Sequence, residues 1–431
     1  STLVMLCLYF LVVPFLEFVE LKAYDLHFWQ RGAIEPSGMV AFVTIDEESI
    51  KRDGRWPWPR RQIARLLEAV AGYNPRVIGM DMGFFEPDLK LRQEAILDLK
   101  ERFGKEPGMI SSPEFMEHLQ AMASAEDDDL ILARTLKDLP VPIVMGQFFF
   151  FDENSYVPEP PPPDALEKTS FRIVQIREEP RRGTLHEAVG IAANIPLVRE
   201  SCRYTGSFNV FADPDGTVRW MPLVIRYGNR LFPSVALQTL SASLPELPLI
   251  VKADYQGIQD IRLGPVSIPT NSRGEVLVNF YGPAYTFDHY SASAFLHGEA
   301  PPDSLEGKLI VIGNTTVGLH DMRPTPFSPV FPGVELHCTV MDNILQQDFM
   351  IRSEGTTAYY DAAALVGLAA LFLLLQSVVR GVALGVTVLG LLGGYIGATH
   401  YAFLQHGVWL NHIYPCLNLV VGFLGTSLHR Y

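Results

Sequence analysis

The sequence predicts an α/β ectodomain, with a mainly parallel central sheet plus antiparallel additions, carried on α-helical transmembrane segments. Three observations predict it. An apolar run closing on an acid (Val40–Asp46) is followed by a Trp56-Pro57-Trp58-Pro59-Arg60 corner, an amphipathic stretch and a second apolar run (Val77–Phe85) that contains Asp81. Apolar runs on either side of a helical pattern indicate parallel strands buried on both faces, and Pro59–Tyr73 is long enough for the crossover they need. Between Ala212 and Tyr281, short alternating runs are separated by Gly- and Pro-containing turns, as in hairpins. Beyond Thr357 the only charged residues are Asp361, Arg380 and Arg430.

In chain order, Thr2–Phe15 is apolar, broken by Pro14 and followed by Glu17 and Glu20. Residues 1–19 are expected to be the outer part of a membrane anchor that begins upstream. A signal-peptide core is the alternative, although no small-residue cleavage pattern follows. Residues 20–355 form the polar domain. It opens with a predicted helix over Glu20–Pro36. Val40–Asp46, Val77–Phe85, Val141–Phe150 and Lys308–Gly313 are the strongest strand candidates. Asp88–Leu139 reads as helices with a loop at Gly104–Pro113. Ser155–Asp164, with prolines at each position from Pro160 to Pro163, reads as an exposed loop. Phe171–Ile176 and Ser207–Val210 read as short strands. Asp213-Pro214-Asp215-Gly216 is a turn leading into a strand over Thr217–Tyr227; Gly228-Asn229 turns again, and Ser234 starts a helix over Val235–Ser243. Ile258–Tyr281 reads as further strands, Ser291–His297 as a short helix, and Gly333–Gln347 as a longer one after the loop Asn314–Pro332.

A continuous helix from Thr357 to Leu404 would be about 70 Å long, more than twice a bilayer core. The chain is therefore expected to turn at Arg380-Gly381, giving spans at 357–379, 382–404 and 409–428. The Arg380 turn and Arg430 then share one side, which positive charge assigns to the cytoplasm; the His400–His412 loop and the polar domain face out.

The formal charge of −14 resides in the polar domain and argues against a nucleic-acid partner. Cys7 and Cys416 sit in apolar segments; Cys202 and Cys338 are either bridged or, more simply, unpaired packed residues.

Asp46 and Asp81 fall at strand ends, where open α/β sheets bind ligands, and together could hold a cation, an amine or a positively charged partner. Their structural alternatives are a turn cap for Asp46 and a bond from Arg55 or Arg60 to Asp81. Trp56 and its neighbours form either a pocket wall or a clamp holding the crossover on the sheet. Thr315, Thr316, His320 and Asp321 offer ligand contacts after the strand Lys308–Gly313, or satisfy the backbone of their own loop. The candidate ligand set is thus Asp46, Arg55, Trp56, Asp81, Thr315, Thr316 and Asp321. Asp361, within an apolar segment, marks either a functional acid or a hydrated interface. Gly381, Gly385, Gly390, Gly393, Gly394 and Gly397 suit close helix packing, within the chain or in a dimer seam. No phosphate-loop, zinc-protease, nucleophile-elbow, CxxC or kinase catalytic-loop pattern is present, so no catalytic residue, metal ligand or cofactor is assigned.

The segments IDEESIKRDGRWPWPRRQIARLLE, NPRVIGMDMGFFEPD, DPDGTVRWMPLVIRYGNRLFPSVALQTL and GKLIVIGNTTVGLHDMRPTPFSPVFPGVELHCTVMDNILQQDF resemble, in this order, the type 2 CHASE domain. The resemblance implies an extracellular sensor of a bacterial signalling receptor, with one membrane helix before it and three after, in the inner membrane. It further implies a homodimer or higher oligomer, an extracellular ligand or protein partner, and a cytoplasmic effector beyond Tyr431, either a class III nucleotide cyclase or a kinase. The alternative from another class is a membrane-anchored structural or assembly protein that binds other proteins and no small ligand.

Overall fold

The computed structural model describes residues 2–11, 13–88, 127–153, 160–316, 322–352 and 356–430. Most of the stretch predicted as helices after Asp88, with its Gly104–Pro113 loop, lies outside the described residues, as do His320 and Asp321; Asp128–Asp138 is helical.

A seven-stranded sheet organises the polar domain. Its spatial order is Asp288–Ser291, Val40–Ile45, Leu309–Asn314, Val77–Met80 and Ile143–Phe150. Ile143–Phe150 then carries Tyr204–Ser207 and Gly190–Ala192 as further partners. All pairings are parallel except that of Gly190–Ala192. The two strands of the first crossover unit are not neighbours. Leu309–Asn314, supplied from far downstream, is inserted between them.

Alternation along each strand feeds two cores. Val40, Phe42, Leu309 and Val311 join a cluster with Leu237, Leu240, Val334 and Val340 from the helices Val235–Ser243 and Gly333–Gln346. Ala41, Val43, Ile45, Ile310 and Ile312 face the opposite cluster, with Ile63, Leu67 and Val70 from Arg60–Ala71 and Leu132 and Leu136 from Asp128–Asp138. Sheet covered on both faces by helices is the arrangement expected of buried parallel strands. Gly206 brings the strand Tyr204–Ser207 against the start of Val235–Ser243: a Cβ there would lie 2.6 Å from Val235 Cα and N.

The antiparallel additions lie beyond Ala212 and part from the sequence reading in two places. Thr217–Tyr227 is not one strand. Trp220–Pro222 pairs with Glu275–Leu277 and Val224–Tyr227 with Arg230–Pro233, because the chain changes partners at Leu223, whose N–H goes to Gly274 and whose carbonyl accepts from Ser234. The predicted strand at Ser207–Val210 instead covers Tyr204–Ser207. There the Asn209 amide takes over the pairing, accepting from Phe149 N and donating to Phe149 O, both at 2.9 Å.

On the membrane side, Thr357–Val378 and Val382–His406 are long and apolar enough to cross a bilayer, and they turn at Gly381. The last helix, Ile413–Arg430, starts four residues later than the predicted span 409–428, and its apolar stretch Ile413–Leu428 is short of the roughly 20 residues a crossing needs. The anchor predicted over 1–19 is two helices, Thr2–Leu11 and the lead-in helix Pro14–Arg31, meeting at 85° where Pro14 interrupts the run. Asp361 is buried and bonded rather than hydrated: Tyr9 OH donates to it at 2.9 Å and Asn411 N at 2.8 Å. All four cysteines are free thiols.

Candidate functional site

Strand order decides what meets at the carboxyl ends of the sheet. The register pairs Thr44 with Gly313 and Ile45 with Asn314, which brings Asp46, Ser291 and Thr315 side by side and sets Asp81 one strand further on. Asp46 caps the helix Glu47–Asp53. Its Oδ1 accepts from Ser49 N at 2.8 Å, Ser49 Oγ at 2.7 Å and Ser291 Oγ at 2.9 Å. Thr315 is buried and shares a hydroxyl–hydroxyl bond with Thr44. Thr316 donates through N and Oγ1 to Asn314 Oδ1. Arg55 is exposed, while Trp56 is half-buried against the helix-side core and tilts against the fully buried Trp58. Asp321 lies outside the described residues.

Neither Arg55 nor Arg60 serves Asp81. Arg60 spans from Asp129 to the Phe84 ring, and the group beside Asp81 among the described residues is His337, with Nε2 3.4 Å from Oδ1. Asp81 Oδ2 and both ring nitrogens of His337 are buried without a hydrogen-bond partner among the described residues. Two residues before His337, Glu335 is fully buried and accepts from the backbone N–H groups of Tyr285, Thr286 and Phe287, fixing the loop that enters the edge strand Asp288–Ser291. Burial pushes the Glu335 carboxyl above its ordinary range, and the three N–H donors pull against that.

The strongest electrostatic construction is elsewhere. Arg219 follows the Asp213-Pro214-Asp215-Gly216 turn and is fully buried. Its Nε and Nη2 fork onto Asp25 of the lead-in helix, both at 2.7 Å. Nη1 and Nη2 bond Asp215 at 2.9 and 2.8 Å, and Nη1 also bonds Asp213 at 2.7 Å. These bonds use the full donor capacity of a guanidinium. Lys22, also on the lead-in helix, reaches Asp215 at 2.7 Å. Burial alone would raise the Asp215 carboxyl; the bonds from Arg219, Lys22 and Thr217 outweigh it and hold the group far below the usual range. Asp213 ends up raised, because burial prevails over its bond to Arg219. Asp25 and Arg219 escape sequence reasoning because the pair is distant along the chain. The available signal was an arginine at the start of an otherwise apolar strand, directly after an acidic turn.

A family model for the CHASE2 domain matches residues 1–378. The chain belongs to the CHASE2 family. No curated protein and no solved structure matches it. CHASE2 domains are extracellular sensory domains of signalling receptors, and in this CHASE2 chain the Arg219 clasp joins the sensory domain to the helix that leads to its apolar end.

Where the CHASE2 domain meets the apolar helices lies a cavity of about 780 Å³, bordered by Glu17, His186, Trp220, Glu275, Arg352 and Trp409. His186 stacks on Phe211 and bonds Glu275 at 2.7 Å. Burial would raise the Glu275 carboxyl, but His186 and Asn271 together hold it below its ordinary value. The Arg352 guanidinium lies 3.9 Å from the Trp409 ring centroid, with Nη1 buried and unpartnered among the described residues. An aromatic cavity carrying both signs of charge, bounded by the sensory domain and the apolar helices alike, has the make-up of a small-molecule site.

Proposed function

We propose that this chain is the input half of a bacterial signalling receptor. In this reading the CHASE2 domain faces the periplasm or cell exterior. Thr357–Val378 and Val382–His406 cross the inner membrane after it, Ile413–Arg430 adds a third, short crossing that uses all 18 of its residues, and an anchor containing the lead-in helix precedes it. A class III nucleotide cyclase is the proposed effector. A homodimer is the working unit, since such cyclases act between subunits. A Cβ built at Gly390, Gly393, Gly394 or Gly397 would meet nothing within 4 Å beyond its own helix backbone among the described residues, which favours the dimer-seam reading of these residues over packing within the chain.

The Arg219 clasp carries the proposal. A buried guanidinium shared between the lead-in helix and the turn of the sensory domain ties the two so that neither shifts without the other. A ligand in the cavity beside it, or a partner at the strand ends around Asp46, Asp81, Thr315 and Thr316, would bias that shared position. It does so only by binding one arrangement more tightly than the other.

Two measurements test the proposal. Protease added to intact spheroplasts should cut near Pro160–Pro163; protection until lysis would place the domain on the wrong side. Fusing a cyclase catalytic domain after Tyr431 and measuring cyclic nucleotide should give an output that changes in Asp25→Asn with membrane insertion intact. An unchanged output would favour the structural-protein reading.

A further inference from the structure

One cluster outside the sites described above gathers three imidazoles and a carboxylate in a single line. His27 of the lead-in helix lies between two other imidazoles. Its Nδ1 is 2.7 Å from His400 Nδ1, and its Nε2 is 2.9 Å from His412 Nε2. His412 Nδ1 is 3.2 Å from Glu20 Oε1. Glu20 is fully buried and is fixed further by Trp409 Nε1 and by the N–H groups of His412 and Ile413. His27 and His412 are buried, and His400 is partly exposed. The line therefore runs from a partly exposed imidazole, six residues from the end of its helix, to a buried carboxylate. It joins the lead-in helix to the helix Val382–His406 and to the loop before Ile413–Arg430.

The geometry fixes how many protons the line can hold. Each N···N contact needs one N–H and one lone pair. With all rings neutral, His412 Nδ1–H donates to Glu20, His27 Nε2–H donates to His412, and His400 Nδ1–H donates to His27, leaving one free lone pair, on His400 Nε2. A proton from water binds there. His400 passes its Nδ1 proton to His27 Nδ1, and His27 passes its Nε2 proton to His412 Nε2. His400 and His27 are neutral again as the other tautomers, both contacts are kept, and the charge rests on His412 beside Glu20. No free lone pair then remains. A second proton sets N–H against N–H, and one contact has to open.

We infer that the Glu20–His412–His27–His400 line is a proton-binding site that absorbs one proton in place and, on taking a second, releases the lead-in helix from Val382–His406. This deepens, and rests on, the reading of the chain as a sensor, with acid as its input. The other charged or titratable groups facing the line are Glu17, Tyr24 and Arg31 on the lead-in helix, Asp348 and Arg352 ahead of the first C-terminal helix, Asp361 within it, Tyr395 on Val382–His406, and Tyr414 and Cys416 on the last helix. The alternative occupant, a metal ion, has no room in the contacts as they stand. Nitrogens sharing a metal at about 2.0 Å each would sit further apart than 2.7–2.9 Å.

The test uses the full chain in phosphatidylcholine nanodiscs, with nitroxide amino acids at the exposed positions Leu26 and Tyr401. The distance between them should be unchanged by the first proton and shift by about 2 Å or more as the second is taken up, between about pH 8 and pH 4.5. His27→Gln and His400→Gln, which keep a donor and an acceptor but do not titrate, should abolish the shift. A shift that persists in both, or is missing from the unsubstituted chain, overturns the proposal. Histidine ¹⁵N spectra of the unsubstituted chain count the protons independently of any variant, and absence of a second uptake by pH 4.5 overturns it as well. Zinc at pH 7.5, giving the same shift at one ion per chain, would reassign the site to a metal. If the distance ignores pH while a fused cyclase still answers to Asp25→Asn, the sensor reading stands and the proton reading falls.

Discussion

Arg219 sets the terms at the scale of single residues. Its fork holds Asp215 in the charged form, whereas at Asp213 burial outweighs the bond to the same guanidinium. The two acids should therefore respond differently to neutralisation, with Asp213→Asn costing less folding stability than Asp215→Asn in chemical denaturation. Asp215 has a depressed folded-state value, so its contribution is fully present above the ordinary aspartate value of about 3.9 and disappears as pH falls through the folded value. The stability gap between the unsubstituted chain and Asp215→Asn should be flat from pH 8 to 5 and shrink below about pH 4. A gap that closes already at pH 6 would show that another group supplies it. Asp46 was legible from sequence because a cap acts on its own next turn. His337 and Arg219 were not, because their partners arrive from remote segments and no local pattern encodes the meeting.

At the scale of elements, apolar runs and turn residues announced the strands Val40–Ile45, Val77–Met80, Ile143–Phe150 and Leu309–Asn314 and the covering helices Arg60–Ala71, Val235–Ser243 and Gly333–Gln346, while the short strands Asp288–Ser291 and Gly190–Ala192 went unread. Strand order was hidden: nothing local says that Leu309–Asn314 slides between Val40–Ile45 and Val77–Met80. Strand ends were hidden wherever a side chain replaced backbone pairing, as Asn209 does. The fold also depends on close approach. At Gly206 the atoms a Cβ would strike are backbone, at 2.6 to 2.8 Å, and cannot swing away. Gly206→Ala should lower stability by about 1–3 kcal/mol by thermal or denaturant unfolding, and a neutral result would mean that Val235–Ser243 can retreat. Glu335→Ala would strand the N–H groups of Tyr285, Thr286 and Phe287, at about 1–3 kcal/mol for a buried unpaired group. Amide exchange should rise at 285–291 in that variant and stay unchanged in Arg60–Ala71 on the other face of the sheet.

Over the whole molecule, the sensory domain and the apolar helices are joined along one side of the lead-in helix. Glu20, Leu21, Tyr24, His27 and Phe28 form its buried stripe, and Asp25 reaches the clasp. The loop before Ile413–Arg430 is tied to the same place, with Ile351 N bonding Gly407 O at 2.7 Å and Trp409 N bonding Ile351 O at 3.0 Å. A displacement of the domain therefore reaches more than one helix at once, as the proposed role in signalling requires. The central claim is that Asp25 and Arg219 transmit as one unit, and a double-mutant cycle on a fused cyclase tests it most directly. Asp25→Asn, Arg219→Met and the double variant are compared at equal membrane levels. We expect each single change to alter the output and the double to match the Arg219→Met variant. Single effects that simply add, or no effect from either, would contradict the account.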